Sequence, residues 1–141
     1  MQSAYLDITK IKQLVETEYQ RSLQAHDLGL LPVEAHVIAL LAEYGALSAS
    51  ELARHCGRLP TSFTGVLDRL EEWNYIARMP HATDGRSVCI NLSPQGAGLV
   101  EPIHAALSAA HVAVCAAFVT PGTLYRKFAT TYAPEDKEQP Y

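Results

Sequence analysis

Two short clusters in this 141-residue chain carry side chains suited to work on a polyanion. The first is Thr61, Ser62 and Thr64, followed by Arg69, within LPTSFTGVLDRLEEWN; the second is Asp84-Gly85-Arg86. Hydroxyls on short stems reach base edges or phosphates with little ordering cost. An arginine on a tight turn can enter a minor groove, where narrow A·T-rich tracts concentrate negative potential. Asp84 can shape that turn or hold an arginine through paired hydrogen bonds. The plainer alternatives are helix caps, solvated surface and an exposed hairpin pair. Gly65 falls inside the first cluster, where a helix loses roughly 1 kcal/mol relative to alanine. Close approach of DNA or of a neighbouring helix would each explain it.

Other reactive side chains are scattered. Cys56, Cys89 and Cys115 are too widely spaced for a disulfide scaffold, and each is expected to be inert, with Cys89 on the outward side of a strand. Zinc needs ligands that converge on one point. His104 and His111 are two helical turns apart and His36 is on another helix, so they make a loose set at best. Tyr19, His36 and Tyr44 could line a small-molecule cleft, although core or interface is the commoner place for such residues. There is no glycine-rich phosphate loop, nucleophile elbow or paired-cysteine motif, so neither an enzyme nor a cofactor is expected.

The elements that must hold these residues are read from periodicity. Ile8, Ile11, Val15, Tyr19 and Leu23 make one apolar stripe of a helix ending near Ala25, which His26-Asp27-Leu28-Gly29 breaks. A second helix runs from Pro32 to Tyr44 and stops at Gly45. Ser48-Ala49-Ser50-Glu51 is a capping box opening a short helix to Cys56, stopped by Gly57. The next helix buries Phe63, Val66, Leu67 and Leu70 and ends at Asn74, a residue tolerant of left-handed backbone. YIARMP and SVCINL then alternate as strands, joined through the Asp84-Gly85 turn. Ser93-Pro94 starts an alanine-rich helix running to Phe118, ended by Thr120-Pro121-Gly122, and a short helix is expected over 124–132. Helix, turn, helix, hairpin is the order of a winged helix. The first and fifth helices carry apolar faces with nothing in the chain to form a second core, so a two-fold dimer is the economical solution.

Composition sets the class. The chain is 48% hydrophobic and 18% charged, with a net charge of -4. This excludes extensive disorder and fits one domain. No uninterrupted apolar run reaches the roughly 18 residues of a membrane span, and the first residues lack a secretory pattern, so a cytoplasmic protein without a membrane partner is expected. The negative charge counts against nucleic acid. Between Ser48 and Leu92, however, Arg54, Arg58, Arg69, Arg78 and Arg86 balance Glu51, Asp68, Glu71, Glu72 and Asp84. A dimer presents Arg58, Arg69 and Arg86 twice, which suits binding with a modest salt slope.

From Leu31 to Leu99 the sequence resembles the MarR family of bacterial winged-helix transcription regulators. The resemblance rests on SASELARHCG, TSFTGVLDRLEE, YIAR, the wing Asp84-Gly85-Arg86 and Leu92-Ser93-Pro94-Gln95-Gly96. Leu-Asp-Arg-Leu-Glu at 67–71 together with the wing Asp-x-Arg is its most specific part. The chain departs from the family at Gly85, where a basic residue is frequent, at Asn74, where glycine is usual, and in a short C-terminal helix. The resemblance implies a mainly α fold with a small β-hairpin wing: a winged helix-turn-helix over 31–95, flanked by helical dimerisation regions, 1–30 and 96–141. It further implies a homodimeric repressor on a pseudo-palindromic operator, with Thr61, Ser62, Thr64 and Arg69 on double-stranded DNA and Asp84 and Arg86 in the wing. An effector would be a small aromatic or phenolic acid, a thiol oxidant or zinc. The competing reading is a winged-helix dimer that binds a protein and no specific DNA, motivated by the neutral recognition region and the missing wing cation.

Overall fold

The structure, a computed structural model, describes residues 4–80 and 88–116. The Asp84-Gly85-Arg86 turn, Phe118 and the helix expected over 124–132 lie outside the described residues. The order is α1 (Ala4–Ala25), α2 (Pro32–Tyr44), β1 (Leu47–Ser48), α3 (Ala49–His55), α4 (Pro60–Glu72), β2 (Ile76–Pro80), β3 (Val88–Leu92), α5 (Pro94–Ala97) and α6 (Val100–Ala116). The chain divides into two compact units, one of residues 28–105 and one of 1–27 with 106–141.

Within the smaller unit, the buried side of α1 is Leu14, Glu18 and Leu23. Of the expected stripe only Leu23 lies on that side: Ile8 is 66% exposed, and Ile11, Val15 and Tyr19 are half-buried. Ser22 Oγ donates to the Ala106 carbonyl at 2.6 Å, and Arg21 pairs with Glu18 at 2.9 Å. The helix ends through Asp27, whose φ of 59° places an acid where a glycine is commoner.

The larger unit is built on α2, whose Val37, Ile38, Leu40 and Leu41 are buried together with Leu52, Phe63, Leu67, Leu70, Ile76 and Ile90. Gly45 and Gly57 end α2 and α3 at φ of 77° and 65°, and Asn74 follows α4 at 63°. Ser48 caps α3 as its sequence demands: its hydroxyl accepts from the Glu51 N–H at 3.1 Å, while Glu51 accepts from the Ser48 N–H at 3.0 Å. The second of those contacts, from the Ser48 backbone N–H, is also the main reason the Glu51 carboxyl titrates below its usual range.

Two expectations need correction. The wing sheet has three strands in the order β1-β3-β2, all antiparallel, with Leu47 opposite Ile90, Ser48 opposite Cys89 and Ile76 opposite Leu92. A two-residue strand is too short to carry a period, so β1 leaves no signal of its own. It also makes β3 the central strand, with Cys89 half-buried between Ser48 and Met79, next to the buried Ile90. The long helix expected after Ser93 is broken at Gly98-Leu99 into α5 and α6. Pro102 explains the break, because it has no N–H to give the Gly98 carbonyl four residues back.

The α5 elbow is fixed by Ser93 and Gly96. Ser93 is buried; its hydroxyl donates to the Asn74 carbonyl and accepts from the Gly96 N–H at 3.1 Å, and its own N–H bonds the Tyr75 carbonyl at 3.0 Å. A Cβ on Gly96 would lie 2.1 Å from the Tyr75 carbonyl oxygen, so only glycine fits there. By length and average composition, Pro94–Ala116 is apolar enough to cross a membrane, and only a small share of it is buried in the single chain. Glu101, His104 and His111 interrupt its apolar residues, which is why no single run stands out in the sequence.

Candidate nucleic-acid interface

The α3–α4 pair is the helix-turn-helix. Its second helix is strongly two-sided: Phe63, Val66, Leu67 and Leu70 are buried, while Thr61, Ser62, Thr64, Gly65 and Asp68 face solvent. Pro60 occupies the first turn, where its missing N–H costs nothing, and that turn holds no acid. The positive end of the helix dipole is therefore not offset by a carboxylate in the first turn. Ser62 Oγ donates to the Leu59 carbonyl at 3.1 Å, and Thr64 Oγ1 to the Pro60 carbonyl at 3.4 Å. These bonds stay within the helix and its N-terminal turn, so no tertiary contact requires the two hydroxyls.

Gly65 can now be read more narrowly. Among the described residues a Cβ there would meet only Arg69 Nη1, at an ordinary 3.8 Å. Packing against a neighbouring helix is thus not the reason for the glycine.

Arg69 has a partner that sequence reading missed. Its Nε donates to Glu34 Oε2 at 2.9 Å, and the other oxygen of that buried carboxylate accepts from the Leu31 N–H at 2.8 Å. One carboxylate thereby closes the start of α2 and ties α4 to it. The Arg69 side chain remains 43% exposed, so what it offers outward is its terminal nitrogens. A signal for half of this did exist: a glutamate three residues after Leu31, behind Pro32, is the reciprocal half of a capping box.

Arg78 on β2 resolves part of the charge objection. It pairs with Asp68 at 3.0 Å and also with Glu71. Two of the acids on α4 are thus engaged by a strand arginine. Arg58 stands exposed in the α3–α4 turn and forms no ion pair among the described residues.

The small-molecule candidates are less united. Tyr44 is 56% exposed at the end of α2 and stacks on His55, with ring centroids 5.3 Å apart. The His36 imidazole titrates below its usual value, chiefly because its hydration is reduced and secondarily because His55 is near. His55 was not foreseen as a member of this group. Tyr19 belongs to the other compact unit. Among the described residues no three histidine, cysteine or acidic side chains converge on a metal position, so His36, His104 and His111 are not brought together there. Burial raises the Cys56 thiol pKa, with Arg58 opposing, which leaves little thiolate at neutral pH. Cys115 Sγ lies 3.4 Å from His111 Nε2 on an exposed face of α6.

Comparison with known proteins places this geometry. The model of the MarR family matches residues 30–88. The transcriptional repressor Rv2887 of Mycobacterium tuberculosis is 33% identical over 94 residues, 67% of this chain and 68% of its own length. MdtR, a transcriptional repressor of Bacillus subtilis, is 30% identical over 96 residues, 68% of this chain; the match spans about three fifths of MdtR, 61%. The structure of Rv2887 in complex with salicylic acid superposes with a TM-score of 0.66 at 26% identity, covering 94% of this chain and 96% of that one. A mutant E. coli MarR complexed with operator DNA gives 0.71 at 18% identity, covering 90% of each chain, a likeness of fold.

Proposed function

This chain belongs to the MarR family, and from that premise we infer that it is a DNA-binding transcription regulator, a homodimeric repressor that leaves a pseudo-palindromic operator when an effector binds. The observation that carries this reading is the outward half of α4. Thr61, Ser62, Thr64 and Gly65 are exposed at a helix N-terminus without an acid, and among the described residues the side-chain bonds of Ser62 and Thr64 stay within the helix and its N-terminal turn. Residues 31–95 do the reading, with Asp84 and Arg86 of the wing and the terminal nitrogens of Arg69 on the duplex. Residues 1–30 and 96–141 pair with a second copy. The exposed Ile8 of α1 and Val112 of α6, at 66% and 67%, together with the half-buried Ile11, Val15 and Tyr19, supply apolar surface for that pairing. Two copies place their α4 helices in successive major grooves, about 10 base pairs apart. Such a protein works where the DNA is, in the cytoplasm. For the effector we propose a small aromatic or phenolic acid, the class to which the salicylic acid bound by Rv2887 belongs.

Fluorescence anisotropy on duplex from the protein's own upstream region and on a genomic fragment library, each against a scrambled duplex across a salt series, tests the reading. Specific binding at about 10–100 nM, some thousandfold above the scrambled control, is the expected result. Equally weak binding to every duplex overturns it. Release by salicylate at constant salt then tests the effector.

A further inference from the structure

The outward chemistry of α4 is unusual in what it lacks. From Leu59 to Val66 there is no arginine, lysine, asparagine or glutamine. The side chains that read guanine or adenine through two parallel hydrogen bonds are therefore absent from the part of a recognition helix that meets base edges. Two of its three hydroxyls already donate their hydrogens to the carbonyls of Leu59 and Pro60. Thr64 is exposed while its Oγ1 is turned back to Pro60, which leaves the methyl as its remaining group for contact with a ligand. Leu59, just before the helix, is 72% exposed, more than any other large apolar residue among those described. Its carbonyl is held by Ser62 while its side chain stands free of the core. Short side chains and a bare Gly65 also mean that contact requires the helix backbone to sit close to the bases.

We propose that α4 recognises its operator through the 5-methyl groups of thymines in the major groove, with Leu59 and the Thr64 methyl as the apolar contacts, and not through paired hydrogen bonds to purines. This rests on the DNA-binding reading and specifies its ligand: half-sites whose helix-contacted positions carry thymine. Apolar contact is the one feature by which the major groove separates thymine from every other base. Burying one methyl is worth roughly a fourfold change in affinity, so one per half-site amounts to about 15-fold on a dimer site.

The test begins with selection of a binding duplex from a randomised library by the full chain. Deoxyuridine then replaces thymidine in the selected duplex, first throughout and then one position at a time, which removes the methyl and keeps every hydrogen-bonding group. The minor-groove edge is unchanged, so any wing contact is not probed. We expect at least about 15-fold weaker binding of the fully substituted duplex at fixed salt, and about fourfold from one contacted position alone. Leu59→Ala, with an unchanged melting temperature, should weaken binding to the thymidine duplex and lose most of the discrimination at one thymine per half-site. Equal binding of the thymidine and deoxyuridine duplexes overturns the methyl proposal and leaves the regulator reading standing. Failure to enrich any sequence overturns both.

Discussion

From Leu59 to Gly65, α4 offers hydroxyls and a glycine that bond, if at all, to the helix and its own N-terminal turn. From Asp68 to Glu71 the same helix is tied down on two sides, by Glu34 of α2 through Arg69 and by Arg78 of β2 through Asp68 and Glu71. Both halves read as polar in the sequence, yet one is spare surface and the other is framework. Polar residue type alone does not tell a ligand-facing side chain from one holding two elements together. What separates them is whether a partner of opposite charge lies across the fold, and such partners, here 35 and 10 residues away for Arg69 and Asp68, have no local signature.

The contrast can be broken hardest at the anchored end. Gly96→Ala forces a methyl against the Tyr75 carbonyl that follows α4, and should cost about 2–4 kcal/mol, read as a lower urea midpoint. Next come the two arginines. Arg69→Ala strands the Glu34 carboxylate, which is 2% exposed, and should cost about 1–3 kcal/mol after allowing for the half-open arginine. Arg78→Ala removes two solvent-facing pairs and should cost under about 1 kcal/mol. Equal losses from the two would end the distinction between a buried tie and a surface one.

The free half should behave in the opposite sense. Gly65→Ala should raise stability by about 0.5–1 kcal/mol, because the new methyl meets no strain and the helix gains propensity, while binding to operator duplex weakens. A loss of stability there would show that Gly65 serves the fold after all. The smallest effect concerns α2, which carries Glu34. His36 titrates lower in the folded chain than its ordinary value of 6.5, so unfolding takes up a proton in that interval. Stability is whole above about pH 6.5 and falls as pH drops toward the folded value. Urea midpoints at pH 7.5 and 5.5 should show a slope that His36→Gln reduces.

Much of the framework was legible because its signals are local. Ser48 with Glu51, Pro32, Gly45, Gly57 and Asn74 mark helix ends within three or four residues, and the apolar face of α4 follows from spacing alone. What was not legible depends on distance or on subtle breaks. The pairing of β1 needs β3, more than 40 residues on. The buried side of α1 depends on what packs against it, so the most regular apolar stripe is not the one most buried. The break before α6 could have been found from Pro102. Of the candidate site, the outward residues of α4 were legible from the helix period, whereas the Glu34 partner of Arg69 and the stacking of His55 on Tyr44 were not.

Ser48 serves two masters: it pairs with Cys89 in the sheet and is the residue on which α3 begins. The chain from Leu47 to Glu51 therefore has no slack. One residue inserted before Ser48 would turn Leu47 from the core to solvent in the strand, and one inserted after it would take the glutamate out of reach of its cap. Length in this stretch is as constrained as composition. Lineages carrying this fold should change here by substitution and accept added residues elsewhere, and a library of single-residue insertions scored for folded protein should show a gap over 47–51.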